Sequence, residues 1–426
     1  MTIYERLGVK PVINGAATLT RLGGSLMPPP VVQAMAEAAG AFVRLDELHE
    51  AAGQRLAELT RNEGAYVTTG AAAGLVLATA ACVTGMDAEK MALLPRPERI
   101  PGGRYKVVVF RSQRNGYDFA VRQVGIELVE IGPSRSDAIR QAPDPAALTA
   151  ELGQALDKRV ACVVYFAGAL SEVGSLPLAQ VVELAHAHQV PVVVDAAAQI
   201  PPIENLWAFS GAPGPTPWAQ ALASMGIMDD APEQTTPAGA DLAVFSGGKG
   251  LRGPQASGLV VGRADLIAAM RRQGSPNAFI GRPMKVGKEE ICGLVAAVEW
   301  SLAQDCETLA AQYERQVRRV VSSLSEVPGL HAERGYPNEA GQPFPRAVVR
   351  LASDAPLARD ELQAKLLAHD PPIELSSAEA DGVYVNPQTL DPGQEEIVVG
   401  AIRQAVLAAG PARSTTTKAA STAGTA

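Results

Sequence analysis

The chain has 426 residues, of which 47% are hydrophobic and 19% are charged, and its formal net charge is −8 at pH 7. This length is enough for two or three domains with large buried cores. Binding to a nucleic-acid backbone depends on clustered lysines and arginines, and this acidic chain has no such cluster, so we expect no nucleic-acid partner.

Cysteines, histidines and the N-terminus exclude several further classes. The four cysteines are scattered without Cys-x-x-Cys spacing, which favours a reduced, cytoplasmic setting. His186 and His188 are two residues apart and would point to different sides of a helix, so we expect no metal site. The N-terminus has charges where a signal peptide needs an apolar segment. The most hydrophobic stretch, Gly70 to Met86, is shorter than the ~20 residues that span a bilayer and predicts a buried helix, with no membrane partner.

The first 264 residues have the pattern of an α/β domain preceded by an arm. Residues 1–45 form the predicted N-terminal arm, and apolar residues recur at helical spacing through Thr60. Seven short apolar runs follow within residues 46–264. Their hydrophobicity is continuous, which is typical of strands covered on both faces in a mainly parallel sheet. The seven runs are GAYVTTG, YKVVVF, GIELVEIG, RVACVVYFAG, PVVVDAAA, DLAVFSGGK and SGLVVG.

The remaining segments predict a second, smaller domain. Residues 208–237 are rich in proline and glycine and are interpreted as an inserted surface excursion. Residues 265–410 combine helical periodicity with two strand-like runs, RAVVRLA and GVYVNP, so a smaller α+β domain is predicted there. Residues 411–426 are of low complexity and are predicted to be disordered.

One predicted strand ends in a turn that suits an anion. The amides of Gly70, Ala71 and Ala72 come at the start of an Ala-rich helix, where backbone donors have no intrahelical partner. Small side chains there let a phosphate approach the backbone. A plain strand-to-helix turn explains the same residues equally well.

Two other predicted strands end in charged residues. Asp195 follows a buried strand, and a carboxylate there needs a partner, although a helix cap or a structural ion pair would also account for it. Lys249 follows Ser246 and two glycines, at a strand end that opens into the crevice where α/β sheets bind ligands. An ordinary solvated lysine is the alternative. Partial burial would lower the pKa of this amine and make it nucleophilic.

Together these features meet the requirements for pyridoxal 5′-phosphate (PLP). Asp195 would keep the pyridine nitrogen protonated, and Ser246 would add a hydroxyl group to the phosphate site. Lys249 would form the Schiff base with the cofactor and then act as the base nearest the Cα proton of the substrate.

The order of these motifs resembles the fold type I PLP enzymes, the aspartate aminotransferase superfamily. Within it, YVTTGAAAGLVLATAACVTG, VVVDAAAQIPP, FSGGKGLRGPQASGLVVG and GRPMKVGKEEICGL resemble the group that joins selenocysteine synthase to D-glucosaminate-6-phosphate ammonia-lyase. The likeness extends from Tyr4 to about Ala408. It implies Lys249 as the Schiff-base lysine, Asp195 as the partner of the ring nitrogen, and a phosphate site made by Gly70, Ala71, Ala72 and Ser246. It also implies a homodimer or larger assembly.

The same resemblance suggests residues that contact the substrate. Arg282 and Lys285 are candidates for binding an anion, with solvated loop charges as the alternative. Arg350 could bind a substrate carboxylate, although a strand arginine is more often a salt-bridge partner.

The group that covers the cofactor ring departs from the family pattern. The family often has a histidine where this chain has Gln113. Arg114, Tyr117 and Asp118 are the nearby alternatives for covering the cofactor ring, and Tyr117 could equally belong to the core.

The leading hypothesis for function is a PLP-dependent lyase. It would convert a small 2-amino-3-hydroxy acid, of the sugar-acid or phosphorylated kind, to a 2-oxo acid and ammonia. An amino-acid racemase or epimerase is the close alternative, because it begins with the same proton removal. A seryl-tRNA selenium transferase is a third possibility, which the acidic composition disfavours. A catalytically silent PLP-binding protein is a fourth.

Overall fold

The computed structural model describes residues 2–410, so the prediction of disorder for residues 411–426 lies outside the described part. The chain forms two compact units. The larger unit contains Thr18–Ala310 and Glu339–Pro343. The smaller unit contains, among the described residues, 2–17, 311–338 and 344–410.

The described residues form thirteen strands. These are β1 (Ile13–Asn14), β2 (Gly64–Thr68), β3 (Lys106–Phe110), β4 (Glu127–Ile131), β5 (Val160–Phe166), β6 (Val192–Asp195), β7 (Leu242–Ser246), β8 (Gly258–Gly262), β9 (Leu330–Gly335), β10 (Arg346–Leu351), β11 (Ile373–Glu374), β12 (Ser376–Ala378) and β13 (Gly382–Val385).

Seventeen α-helices accompany them in the described part of the chain. These are α1 (Ile3–Arg6), α2 (Pro29–Ala39), α3 (Leu45–Thr60), α4 (Ala71–Thr84), α5 (Ala88–Leu93), α6 (Asp118–Arg122), α7 (Arg135–Arg140), α8 (Pro145–Ala155), α9 (Ala169–Glu172), α10 (Leu178–Ala187), α11 (Asn205–Ala208), α12 (Pro217–Ser224), α13 (Ala264–Gln273), α14 (Lys288–Leu302), α15 (Cys306–Leu324), α16 (Arg359–Leu367) and α17 (Gln394–Ala408).

The larger unit is built on a seven-stranded sheet in the order β2-β8-β7-β6-β5-β3-β4. Neighbouring strands from β7 to β4 are parallel, whereas β8 is antiparallel to both β2 and β7. The seven strands arise from the seven apolar runs noted in the sequence. The predicted α/β class with a mainly parallel sheet is therefore confirmed.

Helix α4 is the central helix of the larger unit. It packs against β2, β5, β6, β7 and β8, and most of its side chains are buried around the whole circumference. A helix without a polar face is stable only inside a core. The prediction of a buried helix for this Ala-rich stretch agrees with this position.

The smaller unit combines helices with an antiparallel sheet in the order β12-β13-β10-β9. A separate parallel pair joins β1 to β11. Residues such as Val317, Val349, Leu362 and Ile402 fill its core. These features confirm the predicted α+β character of the C-terminal region.

The larger unit ends later in the chain than the predicted domain boundary at residue 264. Helix α14 packs against α2 and α3, and the unit continues to Ala310. The N-terminal arm is likewise divided, because residues 2–17 belong to the smaller unit and α2 belongs to the larger one. The boundaries inferred from the sequence therefore differ from the limits of the compact units.

The segment 208–237 contributes to the core as well as to the surface. Trp218 on α12 is fully buried, and its indole N–H donates to the Pro343 carbonyl oxygen at 3.1 Å. The buried carboxylate of Glu204 accepts hydrogen bonds from the amides of Trp218 and Ala219 at 3.2 and 2.9 Å. These contacts fix the start of α12, so the segment is more than a surface excursion.

Within residues 2–410, no helix combines the length and the hydrophobicity needed to cross a membrane. The same residues contain no group of three or more histidine, cysteine, aspartate or glutamate side chains able to hold a metal ion. All four cysteines are free thiols.

His49 on α3 is a buried titratable group. Its ring lies against that of Tyr66 on β2, with 5.0 Å between the centroids, and its Nδ1 atom has no hydrogen-bond partner. Burial, assisted by the positive charge of Arg271, lowers the pKa of His49 to about 4. The imidazole is therefore neutral in the folded protein at neutral pH.

This burial predicts sensitivity to acid. A histidine in an unfolded chain titrates near 6.5, so the unfolded state binds the proton first as the pH falls from 6.5 towards 4. Between pH 7 and pH 4.5 the wild-type protein should lose about 2–3 kcal/mol of unfolding free energy that His49→Phe does not lose. Denaturant unfolding at the two pH values measures this difference. The exposed His188→Phe is the control and should behave as the wild type; an equal loss in all three proteins would contradict the assignment.

Candidate active site

Three predicted functional segments meet at one edge of the large sheet. Thr68, at the end of β2, lies opposite Gly258, and Gly258 lies opposite Ser246 at the end of β7. Asp195 ends β6 and pairs with Val244 of β7. The carboxyl ends of β2, β6 and β7 are thus neighbours, which is where parallel sheets place ligands.

The turn between β2 and α4 presents free backbone donors. Gly70 has φ +86°, a conformation that strongly favours glycine, and α4 begins at Ala71 without a capping side chain. The first amides of an α-helix have no intrahelical acceptor, so those of Ala71 and Ala72 are available. A Cβ atom on Gly258 would lie 2.7 Å from the Ala71 nitrogen. Glycine at this position therefore allows β8 to pass close beside the turn.

Lys249 and Asp195 influence each other across this edge. Burial lowers the pKa of Lys249, and the nearby Asp195 carboxylate partly offsets this effect. Burial raises the pKa of Asp195, against the opposing effects of a hydrogen bond from the Ala197 amide, at 3.0 Å, and of the Lys249 charge. Both side chains are only partly exposed. The structure thus brings together the two charged residues that the sequence placed on separate strands.

Tyr117 is the aromatic residue that faces the lysine. Its ring centroid lies 5.9 Å from the Lys249 Nζ atom, and 63% of the residue is exposed. The alternative that Tyr117 belongs to the core is therefore wrong. An aromatic face at this distance favours the charged form of an amine.

Gln113 does not face the lysine but joins elements of the core. Its side chain is fully buried, its Oε1 accepts from the Phe166 amide at 3.1 Å, and its Nε2 donates to Ser175 Oγ at 3.3 Å. These bonds hold the end of β5 to neighbouring loops. Gln113 is thus a structural residue in this fold.

Arg114 and Asp118 bind each other. Arg114 Nε lies 2.5 Å from Asp118, and its Nη1 atom also forms an ion pair with Glu130. Arg122 binds the same buried Asp118 carboxylate at 3.0 Å. Of the four candidates in this loop, Tyr117 is the one whose ring lies near the Lys249 amine.

The predicted substrate arginines and lysine have different surroundings. Arg350, in the smaller unit, binds Glu379 at 3.0 Å and Asp381 at 3.2 Å, which is the salt-bridge alternative stated above. Arg282 and Lys285, in the larger unit, are exposed and form no ion pair within residues 2–410. Their charges are therefore available to a ligand.

The sequence interpretation missed the contacts made by residues 20–26. Ser25 Oγ donates to the carbonyl oxygen of Lys249 at 2.7 Å. This segment therefore lies against the turn formed by residues 247–251, which we call the lysine turn. The pair Gly23-Gly24, both with positive φ, was the available sequence signal. Paired glycines in an irregular segment often mark a close approach between backbones.

Comparison with known proteins agrees with this geometry. The family model described as "SelA: L-seryl-tRNA selenium transferase" matches residues 12–312. The chain belongs to the SelA family. The resemblance noted in the sequence is therefore confirmed.

Members and relatives of the SelA family differ in their named activities. A 5′-C-glycyluridine monooxygenase-decarboxylase from a Streptomyces species is 32% identical over 420 residues, covering 95% of this chain and 92% of the relative. The D-glucosaminate-6-phosphate ammonia lyase of Salmonella typhimurium is 31% identical over 412 residues, covering 94% and 97% of the two chains.

A solved structure of a D-glucosaminate-6-phosphate ammonia-lyase has the same fold. It superposes with a TM-score of 0.74 at 29% identity, over 96% of this chain and 99% of the other. The predicted fold type I architecture is thus confirmed.

Proposed function

We propose that this protein is a PLP-dependent lyase that releases ammonia from a phosphorylated 2-amino-3-hydroxy sugar acid. The observation that carries the proposal is the partly buried Lys249 amine beside the Asp195 carboxylate, at the sheet edge that also presents the uncapped amides after Gly70. The ammonia lyases similar in sequence and structure support this reaction and substrate class.

The residues at the edge fit PLP in chemistry. Lys249 supplies an amine for the cofactor aldehyde, and Asp195 a carboxylate for the ring nitrogen. The amides of Ala71 and Ala72 with the hydroxyl group of Ser246 supply phosphate donors. The Ser246 hydroxyl forms no hydrogen bond within residues 2–410, so it is free to bind a phosphate. Its strand neighbour Gly258 has no side chain that would occupy the space beside it. When bound, PLP would stabilise the electron pair left after proton removal from Cα.

Each side chain has a defined task in this proposal. Because burial lowers the Lys249 pKa, more of the amine is neutral near pH 7 and able to take the Cα proton at Nζ. Asp195 would hold a proton on the pyridine nitrogen of the bound cofactor. Tyr117, whose ring centroid lies 5.9 Å from Lys249 Nζ, would be the aromatic residue that contacts the cofactor ring. The Gln113 position, where the family often has histidine, takes no part in the chemistry.

The net reaction balances without a further reactant. The Cα proton and the β-hydroxyl group leave as water, and one water molecule then hydrolyses the resulting enamine. The products are a 3-deoxy-2-oxo acid and ammonia.

One alternative is favoured by a specific comparison. The relative named monooxygenase-decarboxylase is 32% identical over 95% of this chain, as similar as the ammonia lyase. A decarboxylation that consumes oxygen is therefore the second candidate function. The two reactions differ in their products. The decarboxylation releases carbon dioxide, whereas the lyase releases ammonia together with a 2-oxo acid.

We expect Lys249→Ala to lose the visible absorbance band of lysine-bound PLP and at least a hundredfold in turnover, because the substitution removes the amine proposed to bind the cofactor and to take the Cα proton. Asp195→Asn should keep the band and lose about a hundredfold in turnover. Tyr117→Leu should keep the absorbance band and the turnover of the wild type. Its affinity for PLP should be about three- to tenfold weaker, because aromatic contacts contribute ~0.5–1.5 kcal/mol. Absorbance titration with PLP and assays of ammonia and 2-oxo acid test these expectations on hydroxy and phosphorylated D- and L-amino acids.

The exposed Lys158→Ala is the matched control and should resemble the wild type. Absence of a band in PLP-saturated wild-type protein would refute the cofactor assignment. Inversion of a substrate without ammonia release would instead support a racemase. Oxygen uptake with carbon dioxide release would support the decarboxylase.

We also propose that Arg282 and Lys285 bind the substrate phosphate. Arg282→Ala should raise KM for a phosphorylated substrate about tenfold or more, and for its dephosphorylated counterpart much less, since a charge-assisted hydrogen bond contributes ~1.5–3 kcal/mol. Steady-state kinetics with the two substrates measures the difference. Arg318→Ala is the control, because it removes an exposed arginine of the smaller unit that forms no ion pair within residues 2–410. Equal changes for both substrates would contradict the role.

A homodimer is the proposed assembly. Phe42 is fully exposed, and Leu26, Val32 and Val43 are about half exposed or more within the same stretch. Such clustered apolar exposure is typical of an interface. Phe42→Asp should weaken dimerisation about tenfold or more, as sedimentation or light scattering measures, whereas Ile139→Asp on α7 should not. A monomeric wild-type protein at micromolar concentration would contradict this proposal.

A cytoplasmic location is proposed as well. Four free cysteines, two of them buried, are typical of proteins kept in a reducing compartment. Fractionation of the source cells would contradict this location if the protein were recovered outside the cytoplasm.

A further inference from the structure

The segment 20–26 holds the turn that carries Lys249. The Ser25 amide donates to the Gly248 carbonyl oxygen at 3.0 Å. The Ser25 hydroxyl group lies 2.7 Å from the Lys249 carbonyl oxygen and 3.1 Å from that of Gly248. One serine thus binds two consecutive carbonyl groups at the base of the reactive lysine.

Neighbouring contacts fasten the two segments along their length. Gln255 Nε2 donates to the Thr20 carbonyl oxygen at 2.7 Å, and Arg252 Nε donates to that of Leu26 at 2.8 Å. A Cβ atom on Gly24 would collide with the Gly248 carbonyl oxygen. The two backbones therefore approach as closely as glycine permits.

The lysine turn needs such external support. Gly247 and Gly248 precede Lys249, and glycine has more conformational freedom than any other residue. Within the turn, Arg252 N donates to the Lys249 carbonyl oxygen and Gly253 N donates to that of Gly247. These bonds close the turn but do not attach it to the rest of the protein. Ser301 on α14 attaches the turn at Leu251, where its Oγ atom donates to the carbonyl oxygen at 3.1 Å, and the bonds from Ser25 attach the turn at Gly248 and Lys249 themselves.

We propose that Ser25 is a positioning residue for Lys249, acting through the backbone carbonyl groups of residues 248 and 249. The inference rests on the proposed function in that Lys249 is the reactive amine. By fixing the Lys249 backbone, Ser25 keeps the Nζ atom beside Asp195 and under the Tyr117 ring. A small displacement of a reacting group can reduce a rate by about a hundredfold, so the support matters for chemistry as well as for stability.

The test compares Ser25→Ala with a matched serine. Ser325→Ala is the control, because Ser325 Oγ also binds two carbonyl groups, those of Val321 at 2.8 Å and Ala332 at 3.3 Å, in the smaller unit. The first readout uses cofactor-free protein. Lys249 is labelled with an amine-reactive sulfonate over a range of pH, and mass spectrometry of its peptide gives the pKa of the amine. The second readout is the pH titration of the PLP band.

In Ser25→Ala we expect the Lys249 pKa to rise towards its ordinary value, because a looser turn exposes the amine to water. The midpoint of the PLP band should shift as well, and kcat should fall about three- to thirtyfold with KM changed less than about twofold. Ser325→Ala should leave the Lys249 pKa, the midpoint of the PLP band and kcat unchanged, and its thermal stability should be comparable to that of Ser25→Ala. Gln255→Ala, which removes the Thr20 bond and keeps the hydroxyl group, should give a smaller shift in the same direction and covers the case in which Ser25→Ala does not fold.

Labelling and band midpoints equal to those of the wild type in both Ser25→Ala and Gln255→Ala would overturn the inference. A shift of equal size in Ser325→Ala would overturn it too, since it would reflect general loosening. A wild-type protein without a PLP band refutes the proposed function instead. The labelling experiment needs no cofactor, so it still decides whether Ser25 positions the lysine.

Discussion

The electrostatic interaction between Lys249 and Asp195 is the constraint on which the site depends. Each group is partly withdrawn from water, and each partly relieves the cost of burying the other. The interaction requires that β6 and β7 be adjacent and parallel, so that both strands end at the same edge. The continuous apolar runs of these strands, residues 192–194 in β6 and 242–245 in β7, supply this adjacency, because they bury side chains on both faces.

A second constraint is close approach between backbones. Gly258 lets β8 pass beside the first amides of α4, and Gly24 lets the N-terminal segment rest on the lysine turn. In both places a side chain would collide with backbone atoms, which cannot move aside as a flexible side chain can. These two glycines therefore allow the turn after Gly70 and the turn that contains Lys249 to lie close to neighbouring backbone, and α4 packs against the strands of the same sheet.

The sequence allowed the large sheet to be predicted because burial on both faces leaves a continuous apolar run. It did not reveal β9, since three of the six residues in its segment LHAERG are polar and exposed and interrupt the apolar pattern. The break between α2 and α3 was also missed, because the helical periodicity continues across it. Lys249 and Asp195 could be identified from their strand ends. The pairing of Arg350 with Glu379 could not, because contacts between residues distant in sequence depend on how the strands are arranged.

The loop after β3 holds its exposed tyrosine through hydrogen bonds that begin in the core. Gln113 fixes the loop to β5 from inside the core, and Asn115 binds the Gln113 carbonyl oxygen at 3.0 Å. The Asn115 side chain in turn accepts from the Tyr117 amide at 2.8 Å, so the exposed tyrosine is held through a chain of bonds that begins in the core. A loop attached in this way can change its outermost residue without disturbing the sheet. Asp195 lies on β6, and Lys249 and the amides of Ala71 and Ala72 follow directly after β7 and β2, so the sheet positions these groups while the loop after β3 positions Tyr117.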